Sequence, residues 1–286
     1  MNKLNILNLV LFIVVISLAF IIYFSEEQST QLPTLTGLDP NAIKLIKIQH
    51  NKNSTLISKH GDKQWQITLP VSVAANNFRI SSLLELAIAP VHSQYSLAEI
   101  NLAKIGLENP ATSIQLNDTT ISFGTINEST QLRYVLLNKS VYTIEDVYYP
   151  LISSHFSTLV SLDLLPANSR IEKLVLSNQT IAKDDRGLWQ SNIAMSADNI
   201  VKTIDHWQHD QAFGIHEYLP REELGEVFIY LKDVEQPINY LITDIEPWLI
   251  IVRPEIGLEY HLDIKFHEQL LNPCLLYTSP SPRDRS

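Results

Sequence analysis

The sequence predicts an α+β fold: an N-terminal transmembrane helix followed by two tandem repeats of mainly antiparallel sheet flanked by helices. Three observations predict it. Strand-like runs outnumber helical ones and do not alternate regularly with them, which argues against a parallel sheet. One long apolar run occupies most of residues 1–24. The succession of strand, turn, strand, glycine, tryptophan-bearing strand and helix is met twice.

The apolar run is "LNILNLVLFIVVISLAFIIYF", Leu4 to Phe24, interrupted only by Asn5, Asn8 and Ser17. As a helix it is about 31 Å long, which matches the hydrocarbon core of a bilayer. Its length, and the sequence "YFSEEQ" where a small-x-small cleavage site would stand, favour an uncleaved anchor over a signal peptide. Lys3 precedes the run, Glu26 and Glu27 follow it, and the next cation is Lys44. The positive-inside bias then puts the N-terminus in the cytoplasm and the bulk of the chain in the periplasm, on a bacterial inner membrane. Residues 25–40 read as a polar linker.

Residues 41–160 form the first unit and 161–273 the second. The first opens "AIKLIKIQHNKNSTLISKHGDKQWQITLP" and the second "RIEKLVLSNQTIAKDDRGLWQSNI". Each reads as a three-stranded meander, with Ile43 matching Ile171, Ile48 matching Leu176, Gly61 matching Gly187 and Trp65 matching Trp189. The two tryptophans are expected to anchor the core of each unit. A helix follows in both. Asn76 or Asn77 caps the first, with Ile80, Leu83, Leu84, Ala87 and Ile88 on one face; Ser196 caps the second, with Ile200, Ile204, Trp207 and Gln211 on one face. "SLAEINLAKIG", a capping box from Ser96 to Glu99 stopped by Gly106, reads as a short helical connector. "LPREELG", from Pro220 to Gly225, reads as its partner. "TSIQLN", "TTISFG", "LRYVLL" and "SVYTI" are strands of the first unit; "EVFIYL", "PINYLITD", "PWLIIVRP" and "LEYHLDI" are strands of the second. "EDVYYPLISSHF" and "KFHEQLLN" read as closing helices. The packing of one unit on the other is left open.

Residues 274–286, "CLLYTSPSPRDRS", back-translate to a sequencing adapter and are expected to be an artefact. The whole chain has 21 Lys and Arg against 31 Asp and Glu, a net charge of −10. Without Arg283, Asp284 and Arg285 the balance is 19 against 30, or −11. The tail also holds Cys274, the single cysteine. The remainder can therefore form neither a disulfide nor a cysteine-ligated metal site, and it suits an oxidising compartment. An acidic chain without a basic cluster is no nucleic-acid binder.

Among the eight glycines no two lie within three residues of each other. A G-x-G-x-x-G loop, a P-loop and a G-x-S-x-G elbow, all of which need glycine for close backbone approach or a strained turn, are absent from the sequence. "HEYLP" and "HEQLL" lack the second histidine of a zinc-protease motif. Asp205, His206, His209 and Asp210 are the best metal candidate. At about 100° per residue they point away from the apolar stripe, so a solvated helix face is the favoured reading. Glu145 and Asp146, beside Tyr148 and Tyr149, read as an acidic helix N-terminus rather than a catalytic pair. The sequons at Asn53, Asn117, Asn127, Asn138 and Asn178 matter only on a eukaryotic secretory route. No catalytic, cofactor-binding or metal residue, and no cofactor, is assigned.

The order of these segments resembles the bacterial domain of unknown function 4340 family. The likeness is carried by the anchor, "IKLIKI", the Trp-x-x-x-x-Pro step from Trp65 to Pro70, "GLENP" from Gly106 to Pro110, and "VYTIEDVYYPLI". It covers most of residues 1–160 and the second unit more loosely, where "GLENP" has no clean counterpart. The resemblance implies a single-pass envelope protein. Several relatives are encoded beside ABC transporters of the gliding-motility type, which implies an accessory role. The expected function is a non-enzymatic, membrane-anchored extracytoplasmic module that binds an ABC transporter or other envelope proteins. The alternative is an envelope hydrolase or metal-dependent enzyme with a diffuse motif.

Overall fold

Two antiparallel sheets with the same connectivity make up the body of the chain. The computed structural model describes residues 11–20, 32–61 and 64–272. The first sheet has nine strands in the order β4-β3-β2-β1-β6-β7-β8-β9-β5. They are β1 (Leu45–His50), β2 (Asn53–His60), β3 (Gln64–Leu69), β4 (Val73–Ala74), β5 (Ser93–Ser96), β6 (Thr112–Leu116), β7 (Thr119–Ile126), β8 (Leu132–Leu137) and β9 (Ser140–Glu145). The second has eight, in the order β12-β11-β10-β14-β15-β16-β17-β13. They are β10 (Ile171–Val175), β11 (Thr180–Lys183), β12 (Trp189–Ser191), β13 (Gly214–Glu217), β14 (Gly225–Leu231), β15 (Ile238–Asp244), β16 (Trp248–Arg253) and β17 (Leu258–Asp263). With β4 set aside, the two orders coincide strand for strand.

Alternation along each strand decides which face is buried. In β17, Leu258, Tyr260 and Leu262 point to the core, and Glu259 and His261 to the opposite face. Hairpins are closed by asparagines that accept left-handed backbone geometry. Asn51, Asn117 and Asn138, with φ of 52°, 50° and 55°, open two-residue turns between β1 and β2, β6 and β7, and β8 and β9. Asn117 also accepts backbone N–H bonds from Lys44 (3.0 Å) and Leu45 (3.2 Å). Two of the sequon asparagines thus form turns.

One layer of helices covers the inner face of each sheet. α2 (Asn77–Leu84) is capped by Asn76, whose side chain accepts from the Arg79 N–H, and it buries Ile80 and Leu83. A 3-10 turn, Glu85–Ile88, continues it and buries Leu86 and Ala87. α3 (Tyr149–Ser153) completes this layer. α4 (Ala197–His209) is capped by Ser196 and buries Ile200, Ile204 and Trp207. It packs on a π-helical turn, His267–Leu271, through Trp207 Nε1, which donates to the Leu270 carbonyl at 3.1 Å.

Several expectations are corrected. Strands dominate more than an evenly mixed fold implies. Residues 97–106 and 219–224 are turns and irregular chain, not helices. α2 ends at Leu84, leaving Ile88 40% exposed, and Gln211 lies beyond α4. Trp65 is buried at 7% exposure, whereas Trp189, on the edge strand β12, is only half-buried. Both still face a lysine across the hairpin: Lys59 lies 5.9 Å from the Trp65 ring and Lys183 lies 5.0 Å from that of Trp189.

Residues 11–20 form helix α1, in which Leu11, Phe12, Ile13, Val14, Val15, Ile16, Leu18 and Phe20 are exposed. Among the described residues no helix is long and apolar enough to cross a membrane. The rest of the Leu4–Phe24 run, the first part of the 25–40 stretch and the 274–286 tail lie outside the described residues. Within the 25–40 stretch, Leu35 and Thr36 are buried, and their N–H groups donate to Ala89 (2.9 Å) and Ala87 (3.0 Å).

Candidate functional site

The two sheets meet through the chain that joins them. The Leu159 carbonyl accepts from the Asn76 N–H at 2.7 Å, and Ser161 N–H donates to Ala74 at 2.9 Å, which ties this chain to the β4 edge. Beyond it, Ala212 N–H donates to Leu162 at 2.9 Å and the Tyr240 hydroxyl donates to the Leu164 carbonyl, which ties it to the second unit. Beside this junction lies a cleft of about 390 Å³, lined by Gln64, Trp65, Asn77, Asp163, Arg253 and Tyr260 among others. Its polar groups already hold neighbours. Asn77 accepts from the Trp65 N–H, Asp163 accepts from Ser161 and Gln211 at 2.7 Å each, and Arg253 donates to Glu255 at 2.7 Å. Burial opposes the Arg253 charge, but Tyr240, Tyr260 and Glu255 outweigh it and hold the guanidinium protonated.

A second cluster lies on the outer face of the second sheet. Glu259 is 6% exposed yet carries its charge, because it accepts from Arg221 Nη1 and from His261 Nε2, both at 2.8 Å. Burial raises its pKa, and the bonds from His261 and Arg221 more than offset this, leaving the carboxyl below its ordinary range. Arg221 comes from the chain between β13 and β14 and also binds Asp244 through Nε. The His216 ring packs at a tilt against His261, with centroids 4.6 Å apart. A Cβ on Gly214 would stand 3.1 Å from His216 Nε2, so glycine there lets the ring lie along the sheet.

Matching the strand orders explains this cluster. The registers of β8 on β9 and β16 on β17 set Val141 against Glu259 and Tyr142 against Tyr260. In the first unit, residues 97–111 cross the outer face and bury Ile105 and Leu107 on Val141. In the second, the shorter residues 218–224 cross the same face and place Arg221 on Glu259. An apolar plug and an ion pair fill equivalent positions.

This arrangement makes stability depend on pH. Burial first, and then the His261 ring, depress the His216 pKa below 6.5, with Glu259 opposing. Below that value the unfolded chain binds the proton more readily, so stability falls as pH falls towards the folded pKa. Glu259 adds a further loss as pH drops through its own depressed value. Melting temperature is expected to fall between pH 7.5 and 5.5, and His216→Asn is expected to reduce that fall. An unchanged slope in His216→Asn would remove the ring from the account.

The residues singled out from sequence serve structural roles. His206 binds Asp210 at 2.7 Å and His209 binds Asp205 at 2.9 Å, as two separate pairs one helical turn long. Among the described residues no group of three or more His, Cys, Asp or Glu is placed to hold a metal. Asp146 is bound by Arg133, whose guanidinium lies 3.6 Å from the Tyr149 ring centre. Glu145 ends β9, and α3 starts only at Tyr149, so neither carboxylate opens a helix. Burial, then Glu85 and Glu145, raise the Tyr148 pKa. The Glu259 cluster escaped the sequence reading because Arg221 and Glu259 lie far apart in the chain. The signal that existed was a glutamate and a histidine two apart on the polar face of "LEYHLD".

Residues 65–195 match the family model described as Domain of unknown function (DUF4340). The match over that stretch supports the resemblance to this family. The match starts at Trp65, later than the resemblance suggested, and runs through β10–β12 of the second sheet. No curated protein and no solved structure matches the chain.

Proposed function

We propose that the chain is a membrane-anchored, extracytoplasmic interaction module, built as two tandem units, that holds a partner rather than turning over a substrate. The observation that carries this reading is α1. Its eight large apolar side chains are 47–64% exposed on all sides, a surface suited to a hydrocarbon solvent. The apolar sequence from Leu4 to Phe24 supplies the length of a span, and Lys3 ahead of it with Glu26 and Glu27 behind it supply the orientation. The ionisable clusters favour binding over catalysis, because Asp146, His206, His209 and Glu259 each hold a neighbour in place. The family resemblance makes an ABC transporter the first partner to test. Tethering confines the search to the membrane surface, so a weak interface suffices.

The full chain is expected to stay with membranes after carbonate extraction, and removal of residues 1–24 is expected to release it. A periplasm-dependent phosphatase fused after Thr30 is expected to be active. A full chain found in the soluble fraction would overturn the anchor. Substrate turnover by the purified body, in the junction cleft, would favour an envelope hydrolase instead.

A further inference from the structure

We infer that the outer face of the second sheet around Phe213, Trp248, Ile250 and His261 is a docking surface for a basic, aliphatic segment of a partner protein. The inference deepens the interaction-module reading and rests on it. The patch is built. Trp248 is 46% exposed and Phe213 54% exposed, yet their rings meet edge to face at 5.1 Å, and Phe213 meets His261 at 6.2 Å. Two large aromatics ordered against each other on a sheet face are what interface centres use as anchors.

The first unit indicates what covers such a face. The strand registers set Tyr134 against Ile250, Thr143 against His261 and Leu132 against Trp248. In the first unit that face is covered by the chain itself: Ile100, Leu102, Ile105 and Leu107 pack with Tyr134, Leu136 and Val141, and Thr143 is buried. In the second unit the equivalent crossing spans only residues 218–224, ends on the Arg221–Glu259 pair, and leaves the aromatic end of the face bare. An aliphatic segment shaped like residues 100–107, but supplied by another protein, completes the second unit as the first completes itself.

Charge selects among such segments. Glu222 and Glu223 on the crossing chain are exposed, and Asp263 shares register and face with Trp248. Among the described residues these three carboxylates make no ion pair, whereas Asp244 and Glu259 are taken by Arg221. The rim therefore favours lysine or arginine on the incoming segment, with steering that weakens as salt rises.

The test uses the full chain in detergent and a synthetic peptide of residues 97–108, alone and with Glu99→Lys and Glu108→Lys together. Binding is read from Trp248 fluorescence and by calorimetry. Saturable binding is expected for both peptides, several-fold tighter for the basic one at low salt. Phe213→Ser and Trp248→Ser are each expected to weaken it about tenfold while the far-ultraviolet circular dichroism stays unchanged. Absence of saturable binding, equal binding to both variants, or equal affinity of the two peptides would overturn the assignment. Membrane association does not enter the measurement, so a failure here leaves the anchor standing.

Discussion

Replacing Trp207 with alanine is expected to cost about 3–5 kcal/mol, the range of large aromatic truncations in a packed core. Trp207 is fully buried between α4 and the second sheet. Its ring lies 5.7 Å from that of Tyr240, which in turn lies 5.7 Å from that of Tyr260. Its Nε1–H closes the C-terminal π turn on Leu270. The substitution removes ring, stack and cap together, and a domain with about 5–15 kcal/mol to lose is left near its unfolding threshold. Urea unfolding followed by circular dichroism measures the change. Trp65→Ala belongs in the same range, because its side chain is also buried. Trp189→Ala is expected to cost only about 1–2 kcal/mol, in proportion to the smaller apolar area it hides. A Trp207→Ala midpoint close to that of the parent chain would show that the second unit does not depend on this contact.

Arg221→Ala is expected to cost about 2–3 kcal/mol, because it leaves a buried carboxylate with one donor where it had two. Glu259→Gln is expected to cost less, since an amide needs less compensation than a charge. In the double variant the two effects should fall short of their sum, the signature of groups that act on each other. Unfolding midpoints of the four chains give the coupling directly. Additive effects would mean that Arg221 holds residues 218–224 through Asp244 alone.

Most strands were legible in the sequence, and the reason is local. In "TSIQLN" or "LRYVLL" each residue's face is set by its neighbour two away, and the Asn turns between them carry their own geometry. The strands that escaped notice are β4, β5 and β13. They are short edge strands such as "SQYS" and "GIHE", whose pairing with β9 or β17 is fixed by distant chain rather than by their own composition. The connectors, residues 97–106 and 219–224, depart from the helical expectation for the opposite reason. The expected capping contact does form, with Ser96 N–H donating to Glu99 at 2.8 Å. Yet the residues after it spread Ile100, Leu102, Ile105 and Leu107 over the sheet, since burying them there outweighs the propensity of a short helix. The metal candidate on α4 fell apart in a similar way. Each histidine found a carboxylate one turn away, a pairing that helical spacing permits and that the four residues did not reveal when read as one group.

The strand order has a consequence for how the protein is made. β1 acquires its second neighbour only when β6 arrives, and β5 its single neighbour only when β9 arrives. β10 likewise waits for β14. These pairings close long loops, so contact order is high and folding is slow relative to a helical bundle. A chain that emerges from its N-terminus holds the β1–β2–β3 meander with one bare strand edge until Thr112–Leu116 appears, and the Ala74 carbonyl has no donor from the junction until Ser161 does. During that interval the bare edge can pair with another nascent copy. Truncation just before Thr112 should therefore yield an aggregating fragment rather than a smaller domain.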